Sequence, residues 1–168
     1  MKSALSEAMA RFLQCWGEMG SCWGINKTMA QIHALLMVSE ASLSTDEVME
    51  ELKISRGNAN MNLRSLADWG LIRRVFRKGD RKEYFQSEKD VWKMFCTISR
   101  ERKKREIEPV ITALQECLAM CGRDKAAAAF RKQVEALLEF VKTADLLLGK
   151  ISHREKSRIL PLLVKLLG

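Results

Sequence analysis

The chain has 168 residues, 47% of them hydrophobic and 30% charged, with a formal net charge of +8. That length suits one domain, or one domain with a substantial extension, and that balance excludes wholesale disorder. No stretch approaches the roughly 18 apolar residues of a membrane span. Charges interrupt the apolar positions of MKSALSEAMARFLQ, which is unlike a secretory signal, so a cytoplasmic protein with no membrane partner is expected. An odd count of five cysteines then argues for thiols and against a full disulfide framework.

Few breakers and many Leu, Ala, Met, Glu, Lys and Arg predict a mostly α protein. Residues 4–20 place Leu5, Met9, Phe12, Leu13, Trp16 and Met19 at helical spacing, and residues 27–39 repeat the pattern with Met29, Ile32, Leu35, Leu36 and Val38. Ser44-Thr45-Asp46-Glu47 has the form of a capping box, with Leu43 and Val48 where a hydrophobic staple would sit, which predicts a short helix from about Thr45 to Leu52. Lys53-Ile54 reads as a turn, and Ser55 as a second N-cap. The helix it opens buries Ala59, Leu63 and Leu66 and stops at Gly70. The period then changes. LIRRVFRK (71–78) and RKEYFQSE (81–88) read as strands joined at Gly79-Asp80, a two-stranded hairpin. Residues 90–121 are helical, kinked or divided at Pro109. Residues 125–149 continue with Phe130, Val134, Leu137, Val141, Ala144, Leu148 and Ile151 spaced as a seam for a partner helix. The apolar tail SRILPLLVKLLG is expected to pack on something.

A short helix, a turn, a capped helix and a hairpin make a winged helix-turn-helix. The charge agrees with that reading. From Lys53 to Lys82 there are nine Lys and Arg against two Asp, so this segment is nearly as basic as the whole chain, a footprint suited to a polyanion. The capped helix, SRGNANMNLRSL, carries no acid on the side opposite Ala59, Leu63 and Leu66. Arg can fork to guanine O6 and N7, and Asn to adenine N6 and N7. Gly57 near the helix start lets backbone approach a phosphate, which the helix N-terminus attracts. Ser55, Arg56, Gly57, Asn58, Asn60, Met61 and Arg64 are therefore the expected reading residues in a major groove. Arg77, Lys78, Arg81 and Lys82 around the hairpin turn are the expected wing contacts to backbone or minor groove. Asp80 is expected to hold Arg81 by a charge-assisted bond.

The stretches WGINKTMAQIHALL, LSTDEVMEELKISRGNANMNLRSLADWGLI and KGDRKEYF resemble the winged helix of the MarR family, most nearly its branch of glycine-betaine-synthesis repressors. The resemblance implies a homodimeric transcriptional regulator, a wing arginine at the place of Arg81, and dimerisation through terminal helices. The spacing here is Asp-Arg, where the family has Asp-x-Arg. The seam and apolar tail suit dimerisation, with Leu137, Val141, Leu148, Ile151, Leu160 and Leu163 as its expected residues. Two recognition helices about 34 Å apart would read a palindrome. A small-molecule effector that changed their separation would release it. Relatives in that branch respond to choline, and Trp16, Trp23, Trp92 and Phe95 are the expected aromatic lining for such a cation, although packed core is the plainer reading of them.

The domains expected are residues 1–24 as a packing or dimerisation helix, 25–89 as the DNA-binding winged helix, and 90–168 as a helical dimerisation region. No phosphate loop, nucleophile elbow, HExxH or catalytic carboxylate pair is present, so no enzyme, cofactor or metal site is expected. The competing reading from another class is a helical interaction module whose winged helix and apolar tail bind protein.

Overall fold

The computed structural model describes residues 4–22, 25–122 and 126–152. Leu160 and Leu163, named above for dimerisation, and Trp23 lie outside these residues, and Ile151 is described only as helical backbone. The architecture is mostly α with one small antiparallel sheet. The elements are α1 (Ala4–Cys22), α2 (Lys27–Val38), β1 (Leu43–Ser44), α3 (Thr45–Leu52), α4 (Arg56–Asp68), β2 (Ile72–Phe76), β3 (Glu83–Ser87), α5 (Val91–Arg102), a π-helical turn (Lys103–Ile107), α6 (Glu108–Cys121) and α7 (Ala128–Ser152). Contacts divide the chain into two units, Met1–Asp90 and Val91–Gly168.

In the first unit, α1 lies against α2 with little between them. A Cβ at Gly20 would meet the Ala30 Cβ at 2.5 Å, and one at Gly17 would meet the Gln31 side chain at 2.7 Å. Asn26 caps α2, its side-chain oxygen accepting from the N–H groups of Thr28 and Met29. Ile32, Leu36, Val48, Leu63 and Leu66 are fully buried and form the centre of this unit with Leu35, Ala59, Trp69, Leu71 and Phe85. The other end of α2 is closed from far along the chain. Lys89 Nζ donates to the carbonyl oxygens of Leu36, Met37 and Ser39 at 3.0, 2.8 and 2.6 Å. A cation at a helix C-terminus satisfies both orphan carbonyls and the dipole.

The sheet has three strands in the order β1-β3-β2, one more than the hairpin that the sequence predicts. β1 is two residues long and pairs Leu43 with Phe85 and Ser44 with Tyr84. β2 and β3 pair in register from Ile72–Ser87 to Phe76–Glu83.

In the second unit the helix expected over 90–121 is divided. The division lies just before Pro109, which sits in the first turn of α6. Proline has no N–H to donate and crowds the carbonyl four residues back. The ladder accommodates it by widening: Glu108 N–H donates to Lys103 O, five residues back. Along α7 the inward row is Val134, Leu138 and half-buried Val141 and Asp145, with Lys103 Nζ 3.1 Å from Asp145. Leu137, Phe140, Leu147 and Leu148 are exposed. The seam expected from spacing therefore splits, since Leu138 and not Leu137 turns inward.

His33 of α2 is 3% exposed, and its Nε2 has no hydrogen-bond partner among the described residues. The Trp16 ring lies 6.3 Å from it. Burial pushes its pKa down to about 4 from 6.5. The unfolded chain thus takes up this proton at higher pH than the folded one. The stability that neutral His33 preserves is full above pH 6.5 and declines as the pH falls toward 4. The slope approaches 1.36 kcal/mol per pH unit, about 3 kcal/mol across the window. Urea unfolding at a series of pH values should show this decline in the natural chain. His33→Leu should lose markedly less between pH 6.5 and about 5. Equal slopes would show that His33 is not held neutral by burial.

Candidate nucleic-acid interface

The site is built on the start of α3. Ser44 Oγ accepts from Glu47 N–H at 3.3 Å, and the Glu47 carboxylate accepts from Ser44 N–H at 2.6 Å, completing the capping box. The Ser44 hydroxyl also donates to the Glu47 carboxylate at 2.7 Å, and that bond first, then the one from Ser44 N–H, holds the Glu47 carboxyl below the usual carboxylate range. The staple has an inner half, since Val48 is fully buried. α3 ends where Lys53 takes a left-handed conformation (φ 52) and Ile54 N–H donates to Met49 O at 3.2 Å. This is a helix-ending turn built on lysine where glycine is usual. Ser55 then caps α4, accepting from Asn58 N–H at 3.3 Å.

α4 buries Ala59, Asn62, Leu63 and Leu66. Arg56, Gly57, Asn60, Met61 and Arg64 are all exposed, as their spacing requires. Asn60, Met61 and Arg64 present a face free of acid and make no side-chain bond among the described residues. A Cβ on Gly57 would meet nothing within 4 Å, so no neighbour among the described residues requires glycine there. Asn58 behaves differently. Its backbone and side-chain oxygens accept from Asn62 Nδ2 at 2.8 and 2.6 Å, and it is half-buried. Trp69 and Gly70 end the helix, with Gly70 at φ 70 and Leu71 N–H donating to Leu66 O.

At the wing, Gly79 has φ 85 and Asp80 N–H closes the turn onto Arg77 O at 3.1 Å. Asp80 does not hold Arg81. Its two oxygens accept from Tyr84 Oη at 2.6 Å and from Lys82 N–H at 2.9 Å, because both donors lie within reach of a carboxylate at this corner. The Tyr84 bond, the larger cause, and the Lys82 N–H hold the Asp80 carboxyl below its usual range, and the same bond pushes the Tyr84 phenol up. Arg77 is also engaged at the base of the wing. It donates to Ser42 O at 2.6 Å, and its guanidinium lies 3.8 Å from the Tyr84 ring centroid. Lys78 and Arg81 are exposed at the tip and have no partner among the described residues.

Asp46, in the first turn of α3, joins helix to wing. One carboxylate oxygen takes Arg56 Nη2 at 2.5 Å, and the other lies 3.2 Å from Lys82 Nζ. The Arg56 bond, then that from Lys82, holds the carboxyl below the usual range. Of the expected cations, Arg64, Lys78 and Arg81 are thus unpaired among the described residues, while Arg56, Arg77 and Lys82 have partners inside the chain. Of the expected effector lining, Trp16 stacks obliquely on Phe12 at 5.7 Å in the first unit, and Trp92 stacks on Phe95 at 5.4 Å in the second.

Short helix, left-handed turn, capped helix and hairpin in this order define a winged helix-turn-helix. Residues 23–83 match the model of the MarR family, and this segment is a MarR-family domain. The chain is 25% identical over 117 residues to the HTH-type transcriptional repressor GbsR of Bacillus subtilis, a match spanning 70% of this chain and 64% of that one. A second Bacillus subtilis protein, YvaV, is 21% identical over 94 residues, spanning 56% of this chain and 53% of its own. The match thus spans less than two thirds of either relative. A solved structure described as a transcriptional regulator shares the fold at a TM-score of 0.72 and 19% identity, covering 90% of this chain and 99% of that one. No described helix is long and apolar enough to cross a membrane.

Tyr84→Phe removes the phenolic donor to Asp80 and leaves the ring under Arg77. Amide hydrogen exchange at residues 79–82 should quicken, while exchange in α2 and α4 stays as it was. Unchanged exchange at the turn would show that the Lys82 N–H alone fixes Asp80.

Proposed function

We propose that the protein is a sequence-specific double-stranded DNA-binding transcriptional regulator, acting as a homodimeric repressor. α4 enters the major groove of one half of a palindromic site, and the wing lies on the adjacent backbone or minor groove. The observation that carries this is the exposed, acid-free row Gly57, Asn60, Met61 and Arg64, next to a wing tip whose Lys78 and Arg81 are unpaired among the described residues. Unpaired cations reach phosphate without first breaking a bond, and an uncovered Arg-Asn face suits base edges. The MarR-family domain and the repressor named among the similar proteins support the same reading.

Dimerisation is supported by α7. Phe130, Leu137, Phe140, Leu147 and Leu148 are exposed on one side of it, and a contiguous apolar row of that kind favours a second copy as cover. Val141, half-buried, borders that row. A cationic, choline-like effector is the regulatory part of this reading, with the exposed Phe95 and stacked Trp92 offering ring faces to it.

Selection from a random-sequence pool should enrich one palindromic duplex. Binding to it should weaken steeply with salt, at a log–log slope near −0.9 per phosphate neutralised. Arg64→Ala should relax preference at one base position per half-site at a cost of about 1–3 kcal/mol, as should Arg56→Ala, while Lys78→Ala should weaken selected and random duplexes alike. No enrichment with salt-independent binding would favour a protein-interaction module instead. Equal losses on both duplexes for the α4 variants would remove them from base reading.

A further inference from the structure

Asp46 presents a problem for a DNA reader. It is an exposed carboxylate at the junction of the reading helix and the wing, where a phosphate backbone would repel it. Its first-turn place on α3 suits the helix dipole, but the neighbouring Glu47 already fills that role and makes the capping box. Nothing in the packing needs Asp46, since its side chain is 44% exposed. What it does contact is specific: the first residue of α4 on one oxygen and the wing on the other.

A guanidinium carries five donors in one plane. Arg56 uses one Nη2 proton toward Asp46 Oδ1, and the rest of its fork remains for other acceptors. A carboxylate on one edge leaves the opposite edge available to a base. Held in this way, a long exposed side chain loses less rotamer freedom on binding than a free one. Lys82 on the other oxygen fixes the carboxylate itself and links the helix to the wing.

We infer that Asp46 is a positioning residue for base reading, which aims Arg56 and ties its setting to the wing through Lys82. It acts through Arg56 and does not itself touch DNA. The inference rests on the DNA-reading proposal above. Asp46 opposes all duplexes by its charge and favours only those where Arg56 finds its base, so its net effect is to widen the gap between selected and random DNA.

The test compares the natural chain with Asp46→Asn and Asp46→Ser on the duplex enriched from the random pool and on a random-sequence duplex. Thermal melting confirms that each variant folds. Both variants should bind random duplex more tightly, with a steeper salt dependence, because a like charge is gone. Their preference for the selected duplex should fall about three- to tenfold, the range for freeing one long side chain. The lost preference should map to the base position that Arg56→Ala relaxes, and in the Arg56→Ala background Asp46→Asn should cost no further preference. Unchanged preference, or losses that simply add, would overturn the inference while leaving the DNA reading intact. Absence of any enriched duplex for the natural chain would overturn both.

Discussion

The structure depends on a two-residue strand. Leu43 and Ser44 pair with Phe85 and Tyr84 of β3, and the same Ser44 is the N-cap of α3. One residue therefore ends a strand in the wing's sheet and begins the first helix of the helix-turn-helix. This couples two motifs that could otherwise move separately. Once Ser44 is set opposite Tyr84, the positions on either side fall into place. Asp46, two residues on, comes beside Lys82, two residues before Tyr84. Ser42, two residues back, receives Arg77 from just beyond the end of β2. Tyr84 lies at the centre, under the Arg77 guanidinium and bonded to Asp80.

That arrangement sorts the cations of the basic segment. Nine Lys and Arg between residues 53 and 82 form one undivided positive stretch when counted. In the fold they have separate uses. Arg77 fastens the wing's base, Arg73 bonds Gln86 and Arg74 pairs with Glu83 across the strands, and Arg56 and Lys82 share Asp46. Arg64, Lys78 and Arg81 keep their charge for a partner. Exposed ion pairs contribute little to stability, so the paired cations are better understood as fixing geometry than as holding the fold together.

What the sequence disclosed follows the range of the interactions involved. The capping box, the Ser55 cap, the Gly70 stop and the inward row of α4 were legible because each is decided within about four residues, where spacing and side-chain chemistry suffice. The third strand was not, since two residues carry no periodicity and their partner lies some forty positions away. Lys89 closing α2 and Asp46 joining helix to wing are long-range contacts of ordinary surface residues, with no local signature. The expected Asp80–Arg81 bond assumed that charge would prevail. A phenol and a backbone N–H had the better geometry. On α7 two rows of the same period share Val134 and Val141, and spacing alone does not choose between them. Leu138 and Asp145 complete the row that turns inward, where Leu137 and Ala144 were expected.

The split gives α7 two sides with different uses. Its inner row and Asp145, paired with Lys103 of the π turn, are satisfied within the second unit. Its outer row, with Phe130, Leu137, Phe140 and Leu147, is exposed. If a second copy covers that row, as proposed, the interface is isologous and each operator meets two identical reading heads. Any change in one protomer's DNA contact then enters the binding energy twice. A modest device such as one aimed arginine, worth only a few-fold in a single head, becomes its square in the dimer. Small positional gains at Asp46 and Arg56 can thus matter to a regulator although neither residue does much for the stability of the chain that carries it.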